Sequence, residues 1–274
     1  MIRTVTLLAA LAFASGQALA QEQQQPAGQE AASSDAELAH KLANPVSSLV
    51  SLPLQLNYDC CAGVDPDDDG AFLLNVQPVM PFTLNDRWNM IVRTILPVHY
   101  REGRSAIDGE GFGFGDVTQS FFFSPQPVNG LTWAVGPAFL WPTGSEGYES
   151  GKWGAGPTGL LLKQDGRITY GILANHIWSV AGAENRPDIS NTFLQPFFNY
   201  VFPDSTGIQI NTESTYDWER EQWTVPINAG VTHVYNISGQ RVSLGAFGRV
   251  YAASPDNGPD WGVRFVATFL FPKK

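Results

Sequence analysis

The chain has 274 residues, a formal net charge of −10, 15% charged residues and 12% aromatics. That acidic balance excludes nucleic acid as a partner, because phosphates are met by a basic face. Soluble domains carry about a quarter charged residues, and past the N-terminal segment no stretch offers the roughly 18 consecutive apolar residues of a spanning helix, so a membrane role would need strands.

Residues 1–20 read as a secretory signal. Arg3 supplies the positive start, "TLLAALAFA" the apolar centre and Ala18-Leu19-Ala20 the small-residue pattern, with cleavage expected before Gln21. Gln21 to Ser34 is rich in Gln, Glu, Ala, Ser and Gly and reads as a disordered tether. Ser34 or Asp35 then caps a short helix, "AELAHKLA", that stops at Asn44-Pro45 with Leu38 and Leu42 on one face. Three placements are open for it: a plug inside a barrel, a periplasmic position, or a frayed lead-in, since isolated helices this short are marginal.

From Ser47 the texture changes to strands, whose side chains alternate faces with period two. Leu52, Leu54, Leu56 and Tyr58 alternate with Ser51, Pro53, Gln55 and Asn57. Phe72, Leu74, Val76, Met80 and Phe82 alternate with Leu73, Asn75, Gln77 and Val79. Trp88, Met90, Val92, Leu96, Val98 and Tyr100 stand opposite Asn89, Arg93 and His99. In "LTWAVGPAFLW" the large groups Leu131, Trp133, Val135, Phe139 and Trp141 share one face, and Thr132, Ala134, Gly136 and Ala138 the other. The rhythm continues to the last run, "GVRFVATFLF", where Val263, Phe265, Ala267, Phe269 and Phe271 oppose Gly262, Arg264, Val266, Thr268 and Leu270.

Twelve strands result. Their connections alternate long and short, the one near Arg220 being the short exception, and aromatics such as Tyr58, Trp88, Tyr100, Trp141, Trp178 and Trp223 gather near strand ends. Outer-membrane barrels combine an even strand number, short periplasmic turns, longer outer loops and aromatic girdles. The expected fold is therefore all-β, an antiparallel transmembrane β-barrel over residues 47–274, preceded by the signal (1–20) and by the tether and short helix (21–46). Its last strand is expected to close against Ser47–Tyr58 and remove the sheet's edges.

Candidate chemistry is sparse. Cys60 and Cys61 are adjacent; a disulfide between them closes no loop, and two thiols are too few for a metal site. "DPDDDG" places Asp65, Asp67, Asp69 and Gly70 like the opening of a calcium loop, but Val76 stands where the bidentate Glu belongs. Neither a metal nor a cofactor is expected. His40, His99, His176 and His233 are scattered, and "G-x-S-x-G" does not occur; no catalytic residue is assigned, although His176, Asn175 and nearby serines are the positions a rim hydrolase would use. By parity His176 and His233 fall on the apolar face and His99 on the polar one. If the apolar face meets lipid, the polar-face charges must point inward, because charge at the bilayer midplane costs about 2–4 kcal/mol. The candidates for a lumen or solute path are Arg93, His99, Asp116, Glu213, Asp217, Arg249 and Arg264, with opposite charges paired across the interior.

Several segments, among them "ANPVSSLVSLPLQLNYD", "FGFGDVTQSFFFSP", "KWGAGPT", "LLLKQDGRITYGILANHIWS", "NTESTYDWE" and "ASPDNGPDWG", resemble the bacterial outer-membrane proteins of the phenol-degradation meta-pathway family. The likeness spans nearly the whole chain after the signal. It implies a β-barrel in the outer membrane that moves small, hydrophobic or aromatic compounds, with no catalytic residues to carry over. The final strand also resembles the signal read by the barrel assembly machinery, except that Pro272-Lys273-Lys274 follow the aromatic. The expected partners are thus outer-membrane lipids, a small-molecule solute and that machinery, and the expected function is a passive channel. Two other readings remain at this point: a barrel enzyme that modifies outer-membrane lipids, and a soluble secreted β-sandwich that binds glycans.

Overall fold

The computed structural model describes residues 27–61, 70–101 and 111–272. The signal segment, the start of the tether, and Asp65, Asp67 and Asp69 lie outside them. Among the described residues no helix is long and apolar enough to cross a membrane.

One helix, α1 (Ala27–Leu42), precedes fifteen hydrogen-bonded segments. These are β1 (Val50–Cys60), β2 (Gly70–Val76), β3 (Val79–Thr83), β4 (Trp88–Arg101), β5 (Gly111–Phe114), β6 (Val117–Pro125), β7 (Leu131–Trp141) and β8 (Lys152–Asp165). There follow β9 (Ile168–Gly182), β10 (Ser190–Val201), β11 (Thr206–Thr212), β12 (Ser214–Asp217), β13 (Gln222–Ile237), β14 (Gln240–Ala253) and β15 (Trp261–Phe271). Three pairs are halves of single strands, β2 with β3, β5 with β6 and β11 with β12, because both halves of each pair bond to the same neighbour. The barrel therefore has twelve strands, all antiparallel, as the sequence rhythm predicts.

The sheet closes without an edge. Val50 lies opposite Phe271 and the register runs without a shift to Cys60 opposite Trp261. Closure removes the unpaired N–H and C=O rows that an open sheet exposes, and it excludes the two-sheet sandwich. Short turns at 84–87, 126–130, 166–167, 202–205 and 238–239 share one end with both ends of the barrel chain. Two contain a two-residue turn with positive φ at both central positions: Asn129 (51°) with Gly130 (75°), closed by a bridge between Val128 and Leu131, and Ser238 (52°) with Gly239 (91°). This mirror-image geometry follows the strand twist, and glycine or asparagine adopts it at least cost.

The strand interruptions have a chemical cause. Glu213 separates β11 from β12. By register the gap faces Gln195 and Pro196 of β10 on one side and the bulge at Val225–Pro226 of β13 on the other. A proline has no N–H for the ladder. The β2–β3 break likewise falls at Gln77-Pro78, where Gln77 N–H instead donates to Pro53 O at 2.9 Å.

The helix begins at Ala27, earlier than the Asp35 the sequence suggests, and Asp35 does not cap it. Its earlier residues include Ala, Gln and Glu, which are good helix formers. It is also not isolated. Leu38 and Ala39 are buried with Leu49, Val201, Val234 and Leu270 at the short-turn end of the interior. The Asp35 carboxylate instead pairs with Arg241 of β14. Pro45 stops the helix, and Asn44 Oδ1 accepts from Val46 N–H at 3.0 Å to turn the chain toward β1. Of the three placements, the structure selects the plug.

The plug changes what the barrel interior must be. Val46 is buried among Ile91, Phe122, Ala134, Leu160, Leu162 and Leu173. The inward face is therefore not uniformly polar: beside the plug it is a packed apolar core. The outward face carries the exposed apolar groups, for example Val135, Leu161, Val231 and Phe265, as a lipid-facing wall does.

Candidate functional site

The interior between the plug and the long loops holds the charged side chains. Arg264 of β15 is 3% exposed and Asn57 of β1 is 1% exposed. Arg264 grips Glu213 with two parallel bonds, Nη1 to Oε1 at 2.9 Å and Nη2 to Oε2 at 2.6 Å. Its Nε donates to Asn57 Oδ1 at 2.7 Å, and Arg249 Nη1 donates to the same oxygen at 2.9 Å. Asn57 Nδ2 in turn donates to Leu73 O at 3.1 Å, which fixes the amide orientation. Arg249 Nε lies 3.5 Å from Asp59 Oδ1, an ion pair longer than a hydrogen bond, and its Cζ is 5.1 Å from the Tyr251 ring centroid. A bidentate guanidinium–carboxylate pair is strong and directional, so this network is a rigid patch of wall.

The break at Glu213 serves that patch. Freed from the ladder on both sides, the residue turns its carboxylate across to β15. Three guanidiniums, Arg93, Arg249 and Arg264, then face two carboxylates, Asp59 and Glu213. Arg93 makes no ion pair among the described residues; its Nη2 donates to neutral Gln77 Oε1 at 2.8 Å.

Arg93 also divides the interior space. Toward the long loops lies a cavity of about 220 Å³ with Ile95, Phe122, Leu140, Leu173 and Ile177 in its wall. Toward the plug lies one of about 140 Å³ bounded by Leu42, Pro45, Leu49, Gln77 and Gln195. Arg93 lines both.

The other sequence candidates sit apart from this network. His99 faces inward and stacks on Tyr148 of the 142–151 loop, ring centroids 5.2 Å apart. Asp116 anchors the same loop: its oxygens accept from Gly144 N–H at 2.9 Å and Ser150 N–H at 2.8 Å. Asp217 ends β12 and caps the tight connection, accepting from the N–H groups of Glu219 and Arg220 and pairing with Arg220 Nη1 at 2.7 Å. The network itself thus joins Arg249, Arg264 and Glu213, with Arg93 beside it. Sequence reading missed Asn57, Asp59 and Gln77 as members. Asn57 and Asp59 belong to β1 and Gln77 to the break between β2 and β3; for Asn57 and Gln77 the inward parity was the available signal.

On the outer wall His176 meets hydroxyls and indoles. Its Nδ1 is 2.7 Å from Thr192 Oγ1, its Nε2 3.5 Å from Ser190 Oγ, and Trp218 Nε1 donates to the same Thr192 oxygen at 2.8 Å. Trp178 packs on the ring at 4.1 Å. No carboxylate or amide among the described residues bonds to the ring; its partners are the two hydroxyls. Cys60 and Cys61 are joined to each other at the end of β1. No cluster of three or more metal-ligating side chains occurs among the described residues.

Fold and site together define an outer-membrane-type β-barrel with a plugged, charge-lined interior. An outer membrane channel of Pseudomonas putida F1 has a similar structure, with a TM-score of 0.62 over 81% of this chain and 94% of that one at 13% identity. OmpT, an outer membrane protein of Vibrio cholerae, and LpxR of Salmonella typhimurium align over the same 81% of this chain and 98% and 100% of theirs, at TM-scores of 0.40 and identities of 9% and 11%. The first likeness is one of fold. No family model matches the chain, and no curated protein does.

Proposed function

We infer that the protein is a passive outer-membrane channel for small molecules with apolar or aromatic bodies. One observation carries this: two cavities lie in series inside a closed barrel and meet at a single side chain, Arg93. A barrel built only for stability gains from filling such space, since every void forfeits packing. The short turns then face the periplasm and the long loops the outside, following the asymmetry of such barrels. The plug holds the periplasmic mouth, and solute crosses when it shifts. The resemblance to the phenol-degradation meta-pathway family supports an apolar or aromatic cargo.

Liposome swelling with purified protein tests the reading. Liposomes carrying the barrel should swell in small aromatic alcohols and small sugars faster than empty ones. A folded, inserted barrel that leaves swelling at the empty-liposome rate would refute it.

A further inference from the structure

Arg93 and the loop-side cavity form a site whose chemistry is more specific than a passage. We propose that this cavity binds a small monocarboxylate with an apolar body of one ring, the carboxylate on Arg93 and the ring among Ile95, Phe122, Leu140, Leu173 and Ile177.

Charge gives the first argument. Glu213 lies within electrostatic reach of Arg93, yet both its oxygens are held by Arg264. Gln77 accepts one of the five N–H groups that a guanidinium offers. A buried cation without a carboxylate ion-pair partner among the described residues is costly, and an incoming anion relieves that cost. A planar carboxylate suits the guanidinium fork, because two parallel N–H···O bonds form at once.

Shape gives the second. A dry apolar cavity of about 150 Å³ holds benzene, so a volume of about 220 Å³ admits one ring with a substituent. Asn191 also lines the cavity, and its Oδ1 is buried with no hydrogen-bond partner. Buried acceptors are normally satisfied, so the wall is built for a polar hydrogen that is supplied from inside the chamber, by a ligand substituent or by a water that enters with it.

This assignment rests on the channel reading for access to the chamber, but binding can be measured without flux. The experiment is calorimetric titration of the detergent-solubilised full-length barrel with benzoate and with benzamide, its neutral isostere, on wild type, Arg93→Gln and Arg93→Lys. Heat-modifiable migration on gels establishes that each variant is folded. Benzoate is expected to bind wild type at least tenfold more tightly than benzamide. Arg93→Gln should erase that preference and Arg93→Lys should keep part of it. Equal affinity for the two compounds on wild type overturns the proposal whatever the variants do, and so does undetectable benzoate binding. A preference that survives in folded Arg93→Gln also overturns it. Swelling in a neutral sugar on the same preparation separates the two claims: flux without benzoate binding removes this site and leaves the channel, whereas binding without flux keeps the site and removes the channel.

Discussion

Glu213 is where the interior's charge balance is set. Both its oxygens are bonded to Arg264, which is 3% exposed. Removing one partner of a buried pair leaves the other uncompensated, at a cost of about 3–5 kcal/mol. Glu213 is itself partly exposed, with 20% of its side chain accessible, so Glu213→Gln should cost about 3 kcal/mol, at the lower end of that range. Urea titration of the folded fraction on gels measures it. The same variant should move the reversal potential in a salt gradient toward anions, because three guanidiniums then face Asp59 alone. An unchanged potential would mean that ions do not pass this patch. The inward direction of Arg93, Glu213, Arg249 and Arg264 was legible in the sequence from strand parity. Their partners were not. Which residues meet across a barrel depends on its closure and stagger, and these bring Asn57 of β1 to Arg249 and Arg264 near the other end of the chain. A neutral asparagine gives no charge signal, although it accepts from both guanidiniums.

At the level of elements, the plug and the 183–189 loop make separable predictions. Helix α1 is held by apolar contacts, by the Asp35–Arg241 pair and by Gln164 Nε2 donating to His40 O at 3.0 Å. Deleting residues 27–44 should raise single-channel conductance several-fold while the barrel stays heat-modifiable. Equal conductance would place the narrow point at the Arg93 level. In the loop, Asp188 accepts from Lys152 Nζ at 3.0 Å and Ser179 Oγ at 3.2 Å. Those hydrogen bonds, that from Lys152 first, hold its carboxyl below the usual range. A lowered carboxyl favours the folded loop above the ordinary aspartate value of about 3.9, and that contribution disappears as pH falls through the lowered value. In Lys152→Met, Asp188 should therefore titrate closer to the ordinary range, as carboxyl NMR shifts would record; an unmoved midpoint would assign the lowering to Ser179. The sequence located a short helix by its Leu38–Leu42 spacing but not its start or its site, because plug contacts come from β10, β13 and β15, far away in the chain.

Across the whole molecule, twelve strands, closure of the last on the first and the lipid-facing side were readable from alternation alone. Alternation could not show that inward Ile91, Phe122, Leu160, Leu162 and Leu173 form an apolar core, since that depends on the plug entering the barrel. It also hid the three broken strands: the apolar rhythm runs on across the gaps at Gln77-Pro78 and Glu213, while Gly111–Phe114 lies in a glycine-rich run that reads as a connection. The outward assignment has a direct check. Val231 is 55% exposed near the middle of β13, so Val231→Arg should cost about 2–4 kcal/mol in a bilayer, read from refolding into vesicles. A neutral result would mean that this wall does not meet hydrocarbon.

A plugged barrel that serves as a conduit passes current across a planar bilayer. Purified full-length protein should insert as discrete steps of small, uniform conductance, and addition of millimolar benzoate should reduce the current through occupancy of the Arg93 chamber. Heat-modifiable, vesicle-inserted protein that gives no steps at all, and passes no small solute, would contradict the account.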